Sequence, residues 1–77
     1  MAIVTTFRRV AKDRVGRPSE TECGYSSVDI DGVAYLLLES YGSATRAKPG
    51  KISQSLHIDR KRASELKALL ESQFPGI

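Results

Sequence analysis

The sequence predicts an α+β domain, an antiparallel four-stranded sheet in the order β-β-β-β-α with one C-terminal amphipathic helix packed on one of its faces. Three observations carry this. Asp31-Gly32 sits between two runs of strand-forming residues, and a type I′ turn needs positive φ at both of its central positions. Ile52 to Ile58 alternates apolar and polar residues with period two. Asp59 then precedes an apolar series at helical spacing, Ala63, Leu66, Leu69, Leu70 and Phe74, and Pro75-Gly76 closes it.

In chain order, Ile3 to Val10 is rich enough in β-branched and aromatic residues for a first strand. Residues 12–21, with Gly16, Pro18 and several charges, form a loop, either a flexible arm whose Arg14 and Arg17 reach a ligand or a disordered basic segment. Glu22 to Ile30 is the second strand. A two-residue turn at Asp31-Gly32 sets Ile30 opposite Val33 and Val28 opposite Tyr35. One face then shares Val28, Ile30, Val33, Tyr35 and Leu37, and the other shares Tyr25, Ser27, Asp29, Ala34, Leu36 and Leu38. A slip of one residue exchanges the faces, and the third strand, Val33 to Tyr41, is apolar on both. One of its faces therefore expects the helix and the other expects a further cover, from a second copy or a ligand base. Gly42 to Lys51 is a basic connection with a type II turn pair at Pro49-Gly50. In the fourth strand Ile52, Leu56 and Ile58 share the inner face. Ser53, Ser55 and His57 take the outer one, where His57 is expected to meet solvent. Cys23 reads as a buried or partly buried structural thiol.

The 77 residues make one domain, 1–77, short enough that its core is marginal. Cys23 is the only cysteine and His57 the only histidine, so neither an internal disulfide nor a histidine/cysteine metal cluster supplies stability. Association into a homodimer is the remaining device, with Leu36, Leu38, Leu69 and Phe74 as the expected dimer or partner interface. No stretch has the apolar length of a membrane span and no secretory leader is recognisable, so no membrane partner is expected. A single free cysteine fits a cytoplasmic setting.

Catalysis has little support. His57 shares a strand face with Ser53 and Ser55, but no third orienting group or oxyanion donor is identifiable. No phosphate-loop or dinucleotide fingerprint occurs, so no cofactor is expected. Charge is more informative. The net charge is +3, distributed as +4 over residues 1–17, −5 over 18–45, +5 over 46–62 and −1 over 63–77. Such segregation fits an edge that meets a polyanion; it fits equally a solvated surface that balances the acidic middle of the chain. Arg60, Lys61 and Arg62 occupy the positive end of the helix macrodipole, where acidic residues are preferred. An anion is expected beside them, from the acidic segment of the sheet or from a phosphate. Tyr25, Tyr35 and Tyr41 on the two middle strands, with Arg46, Lys48 and Lys51 in the basic connection, are the candidates for stacking bases and following a backbone; the alternative is that Tyr35 belongs to the core and Tyr25 and Tyr41 to its rim.

Tyr35-Leu36-Leu37-Leu38-Glu39-Ser40-Tyr41, Lys48-Pro49-Gly50-Lys51-Ile52-Ser53, Leu56 and the helix run Ala63 to Leu70 together resemble the positive-cofactor-four type of transcriptional coactivator, and more distantly the Whirly and Pur-type single-strand binders. The resemblance spans residues 24–73. It implies a dimer formed largely through the helix, single-stranded nucleic acid on the sheet, and a role in transcription or in DNA or RNA regulation without enzymatic activity. Of the family's basic positions only Arg46, Lys48 and Lys51 in the connection are matched; with Tyr25, Tyr41, Arg60 and Arg62 from the reading of the strands and the helix start, they make the expected nucleic-acid surface. Asp31, Val33, Glu39 and Gly42 depart from the family's pattern, removing positive charge and an aromatic from the hairpin and third strand. Ile52 to Ser72 also looks like the strand and first helix of a ribbon-helix-helix repressor, whose second helix this sequence lacks. The competing expectation is a small regulatory module that uses the sheet or the helix to bind a protein partner.

Overall fold

The computed structural model describes residues 1–42 and 52–77. The described elements are β1 (Ala2–Ile3), β2 (Cys23–Ile30), β3 (Val33–Ser40), β4 (Gln54–Ile58) and α1 (Arg60–Gln73). The four strands form one sheet in the order β1-β4-β3-β2, followed by the C-terminal helix, so the fold is α+β as expected.

The sheet is mixed rather than purely antiparallel. β2 with β3 and β3 with β4 are antiparallel, but β1 runs parallel to β4, with Ala2 against Leu56 and Ile3 against His57. The first strand is also far shorter than the expected Ile3 to Val10. Thr5-Thr6 and Arg8-Arg9 interrupt any alternation, so a longer strand there would have no consistent apolar side to turn inward. Val4 adds one more backbone bond, its amide donating to the His57 carbonyl at 3.0 Å, before the chain leaves the sheet.

The hairpin follows its turn chemistry. Asp31 (φ 50°) and Gly32 (φ 80°) both take the left-handed conformation of a type I′ turn, whose twist matches that of the strands it joins. Ile30 lies opposite Val33 and Val28 opposite Tyr35, the register expected for a two-residue connection. Leu36 pairs with Ile58 and Leu38 with Leu56 across the next ladder. The face bearing Tyr25, Ser27, Leu36, Leu38, Leu56 and Ile58 will be called the helix face. The face bearing Val28, Tyr35, Leu37, Glu39, Ser55 and His57 is the opposite one.

Asp59 caps the helix, its Oδ1 accepting from the Arg62 amide at 2.8 Å. The helix ends at Phe74, whose amide donates to the Leu70 carbonyl at 2.8 Å, immediately before Pro75 and Gly76 (φ 89°). The helix covers its face only thinly. Leu36 and Ile58 of the sheet and Ala63, Leu66 and Leu70 of the helix line an open groove of about 410 Å³. No helical residue is buried. Ile58, at 4% exposure, is the one buried hydrophobic side chain among the described residues, while Leu36 and Leu56 remain 41% and 44% exposed.

Two single-residue expectations are corrected. His57 does not meet solvent; it is 4% exposed, held against the N-terminal strand and the Tyr35 ring. Its Nδ1 donates to the Ala2 carbonyl at 3.2 Å, and the Tyr35 ring meets it edge-on with centroids 5.8 Å apart. Ser55 beside it is buried as well. Cys23 is exposed rather than buried, because β2 is an edge strand and Cys23 opens it.

Candidate nucleic-acid interface

Among the described residues, the expected nucleic-acid tyrosines do not share one surface. Tyr25 stands on the helix face of the outer strand, 79% exposed. Tyr41, half-buried, follows β3 on the opposite face and lies across Gly24, which has no side chain to oppose it. Its amide donates to the Thr21 hydroxyl at 3.3 Å, which pins the entry of β2 beside the exit of β3. Two tyrosines on opposite faces of a sheet cannot stack consecutive bases. Tyr35 is taken up by His57. Arg46, Lys48 and Lys51 lie outside the described residues. Among the expected interface residues, Leu36 is exposed and Leu38 half-buried on the helix face, and Leu69 and Phe74 are half-exposed on the helix.

The start of the helix is better organised. Arg62 is held twice. Its Nε pairs with the Glu65 carboxylate at 2.8 Å, one turn further along, and its Nη1 donates to the Thr5 carbonyl. The anion expected beside the first turn is thus supplied in part by the helix itself, through an i,i+3 pair. Arg62 is therefore a clamp rather than a free phosphate ligand. Its side chain is 15% exposed.

The clamp has a second effect that the sequence alone does not reveal. It fixes Thr5, and Arg8 follows three residues later, within about 11 Å of extended chain. Arg8 and Arg9 are exposed, as are Lys12, Arg14 and Arg17 further on, and Arg60 and Lys61 at the helix start. Among the described residues none of these seven cations has a carboxylate within ion-pair distance. Asp29, at the hairpin end of the edge strand β2, lines the same hollow as Asp59 and Arg60. The sequence-level charge segregation is not kept in space, because the Asp29 and Asp59 side chains stand at the same end of the sheet as the exposed Arg60. Arg8 and Arg9 were missed as site residues because the contact that places them, Arg62 to Thr5, spans 57 positions.

The described residues contain no cluster of three or more His, Cys, Asp or Glu side chains that could hold a metal ion. No helix among them is long and apolar enough to cross a membrane. The chain matches no protein-family model, no curated protein and no solved structure.

Proposed function

We propose that this chain is a non-enzymatic nucleic-acid-binding module, acting in transcription or in DNA or RNA regulation, and that it contacts phosphates along the edge where the N-terminal segment meets the helix. One observation carries the reading. Arg62 ties Thr5 to the helix start, so the segment that carries Arg8 and Arg9 departs from the end of the sheet where Arg60 and Lys61 open the helix. Cations without carboxylate partners suit phosphate contact, since the gain is release of counterions from the nucleic acid. The same grouping also answers the electrostatic oddity of three cations at a helix N-terminus, where an anion is favoured. Exposed Tyr25 offers one base-stacking surface, which supports single strands over duplex.

The test is a fluorescence-anisotropy titration of labelled single-stranded and duplex oligonucleotides at two salt concentrations. Binding is expected to weaken steeply with salt, and Arg8→Ala, Arg9→Ala, Arg60→Ala and Lys61→Ala combined are expected to flatten that slope by about 3 to 4 in log–log terms, roughly one per lost phosphate contact. An unchanged slope in the fourfold variant removes this edge from the model. Replacing Arg46, Lys48 and Lys51 together by Ala asks the same question of the basic connection.

A second reading, a regulatory module that binds a protein partner through the sheet or helix, draws on the open apolar helix face, with Leu36 and Leu56 uncovered. Absence of binding to both oligonucleotides at low salt would move the case to this reading.

A further inference from the structure

The outer edge of the sheet, at β2, has no neighbouring strand among the described elements. Its eight residues pair with β3 in one unbroken register, without a bulge. Ile30 and Val33 flank a two-residue turn, so they form a pair that exchanges both backbone bonds. Alternation then turns the amides and carbonyls of Cys23, Tyr25, Ser27 and Asp29 away from β3. Natural sheets guard such an edge with lysine, proline, a bulge or a very short strand. Cys23–Ile30 contains neither lysine nor proline, and all of its residues except Gly24 and Val28 are exposed. The strand and its flanks carry Glu22, Asp29 and Asp31, and no lysine or arginine occurs from residue 18 to residue 45.

We infer that the basic arm, residues 8–17, of a second copy adds to this edge as a further strand. In such an addition the main chain supplies the affinity and the facing side chains supply the selectivity. An open edge of this length takes an extended segment, and the chain contains one. Residues 8–17 lie outside every described helix and strand and are exposed throughout. They hold no proline, and Val10 and Val15 are 53% and 76% exposed. Arg8, Arg9, Lys12, Arg14 and Arg17 stand there against Asp13 alone, which complements an edge of carboxylates. An antiparallel arm with Arg8 opposite Asp29 also sets Lys12 opposite Tyr25 and Arg14 opposite Cys23. β2 paired with the β2 of a second copy would instead set Glu22 of each chain beside the Asp29–Asp31 end of the other, like charge against like. The arm's own β2 is not the acceptor. The arm runs directly into that strand, so a local hairpin is within its reach, yet the single chain does not form one. The contact uses strand backbone at the β2 edge rather than the helix, and it does not rest on the nucleic-acid reading.

Cross-linking through Cys23, the only cysteine, tests this. Chains carrying Arg8→Cys, Lys12→Cys, Arg14→Cys or Arg17→Cys, each together with Cys23→Ser, are mixed with wild-type chains and oxidised. Residues opposed on adjacent strands have Cα atoms about 5.5 Å apart, within disulfide reach. The mixed disulfide is expected to form fastest with Arg14→Cys, and on the order of tenfold more slowly with Arg8→Cys, whose position lies about 20 Å further along an extended strand. Ser27→Pro in the acceptor chain removes only an amide that points away from β3. It is expected to leave the far-ultraviolet circular dichroism unchanged and to weaken self-association, read by sedimentation equilibrium, by about tenfold or more. No mixed disulfide at any of the four positions, or equal rates at all of them, overturns the inference, and this scan stands even where Ser27→Pro does not fold. An intrachain disulfide in chains that carry Arg14→Cys and keep Cys23, at concentrations where no mixed disulfide forms, overturns it too, since the arm then closes its own edge. A folded Ser27→Pro variant that associates as the wild type does has the same consequence. None of these measurements uses nucleic acid and Ser27→Pro keeps every cation, so failure here and failure of the oligonucleotide titration show separately.

Discussion

The two faces of the sheet are closed by different means. The opposite face has no helix among the described elements, yet Tyr35 and Leu37 are half-buried there and Ser55 and His57 are buried. The helix face has an amphipathic helix beside it, yet Leu36 and Leu56 remain open and only Ile58 is withdrawn from water. Burial of the first kind involves groups that satisfy each other, the imidazole with the Ala2 carbonyl and the Tyr35 ring. Burial of the second kind needs a layer in contact, and a layer that leaves a 410 Å³ groove is incomplete. Possession of an apolar stripe is therefore not the same as a closed core. The polar side of an alternating strand can be interior where its hydrogen bonds are met.

The largest effect expected from this contrast is at Ile58. Ile58→Ala removes the one well-buried hydrophobic side chain and should cost about 2–5 kcal/mol. For a 77-residue chain whose whole stability is about 4–12 kcal/mol, that lowers the urea midpoint severely or unfolds the protein. Leu56→Ala, on the same face two residues earlier, is expected to cost less than about 1 kcal/mol under conditions where the chain is monomeric, because its side chain already meets water. Equal losses from the two variants in the monomer would show that the helix face is closed at both positions, and the contrast would collapse.

His57 is the corresponding probe of the opposite face. His57→Ala loses the bond to the Ala2 carbonyl, leaves that acceptor without its partner and opens space against Tyr35, with an expected cost of about 1–3 kcal/mol. Amide hydrogen exchange at Val4, whose amide bonds to the backbone of residue 57, should accelerate, because the two-residue β1 has little else to hold it. His57→Phe keeps a ring beside Tyr35 and removes only the bond, and is expected to fall between the wild type and His57→Ala. Protection at Val4 unchanged in both variants would mean that β1 is held without the histidine.

These features were legible in the sequence to the extent that their causes are local. Asp31-Gly32, the Asp59 cap and the Pro75-Gly76 stop each act over four residues or fewer, and all three are realised at the expected positions. Once the turn has two residues, the whole β2–β3 register follows. The parallel pairing of Ala2 with Leu56 joins positions 54 apart and leaves no periodic trace, so a two-residue strand looked like the start of a longer antiparallel one. His57 was misplaced for the same reason, since alternation tells which residues share a face but not which face is covered. Of the basic edge, Arg60 and Arg62 were legible from the helix start. The approach of Arg8 and Arg9 was not, because it depends on Arg62 reaching Thr5. Cys23 looked like a core thiol only while the edge position of its strand was unknown.

The smallest expected effect concerns Gly24, on the opposite face beneath Tyr41, and it has an unusual sign. Glycine inside a strand normally weakens it, having no side chain to pack and more backbone entropy to lose. A Cβ added at Gly24 would run into the Tyr41 hydroxyl and stand 3.3 Å from the ring carbon that bears it. The obstacle is the far end of a side chain, so the tyrosine turns aside and the backbone stays in place. Gly24→Ala is therefore expected to lower stability by only about 0.5–1 kcal/mol in the wild type and to raise it slightly in a Tyr41→Ala background. The difference between backgrounds is the coupling of the two residues, measured by urea unfolding of the four proteins in the cycle. A coupling near zero would mean that Tyr41 does not rest on Gly24 in solution, and that the closure of this face stops short of the outer strand.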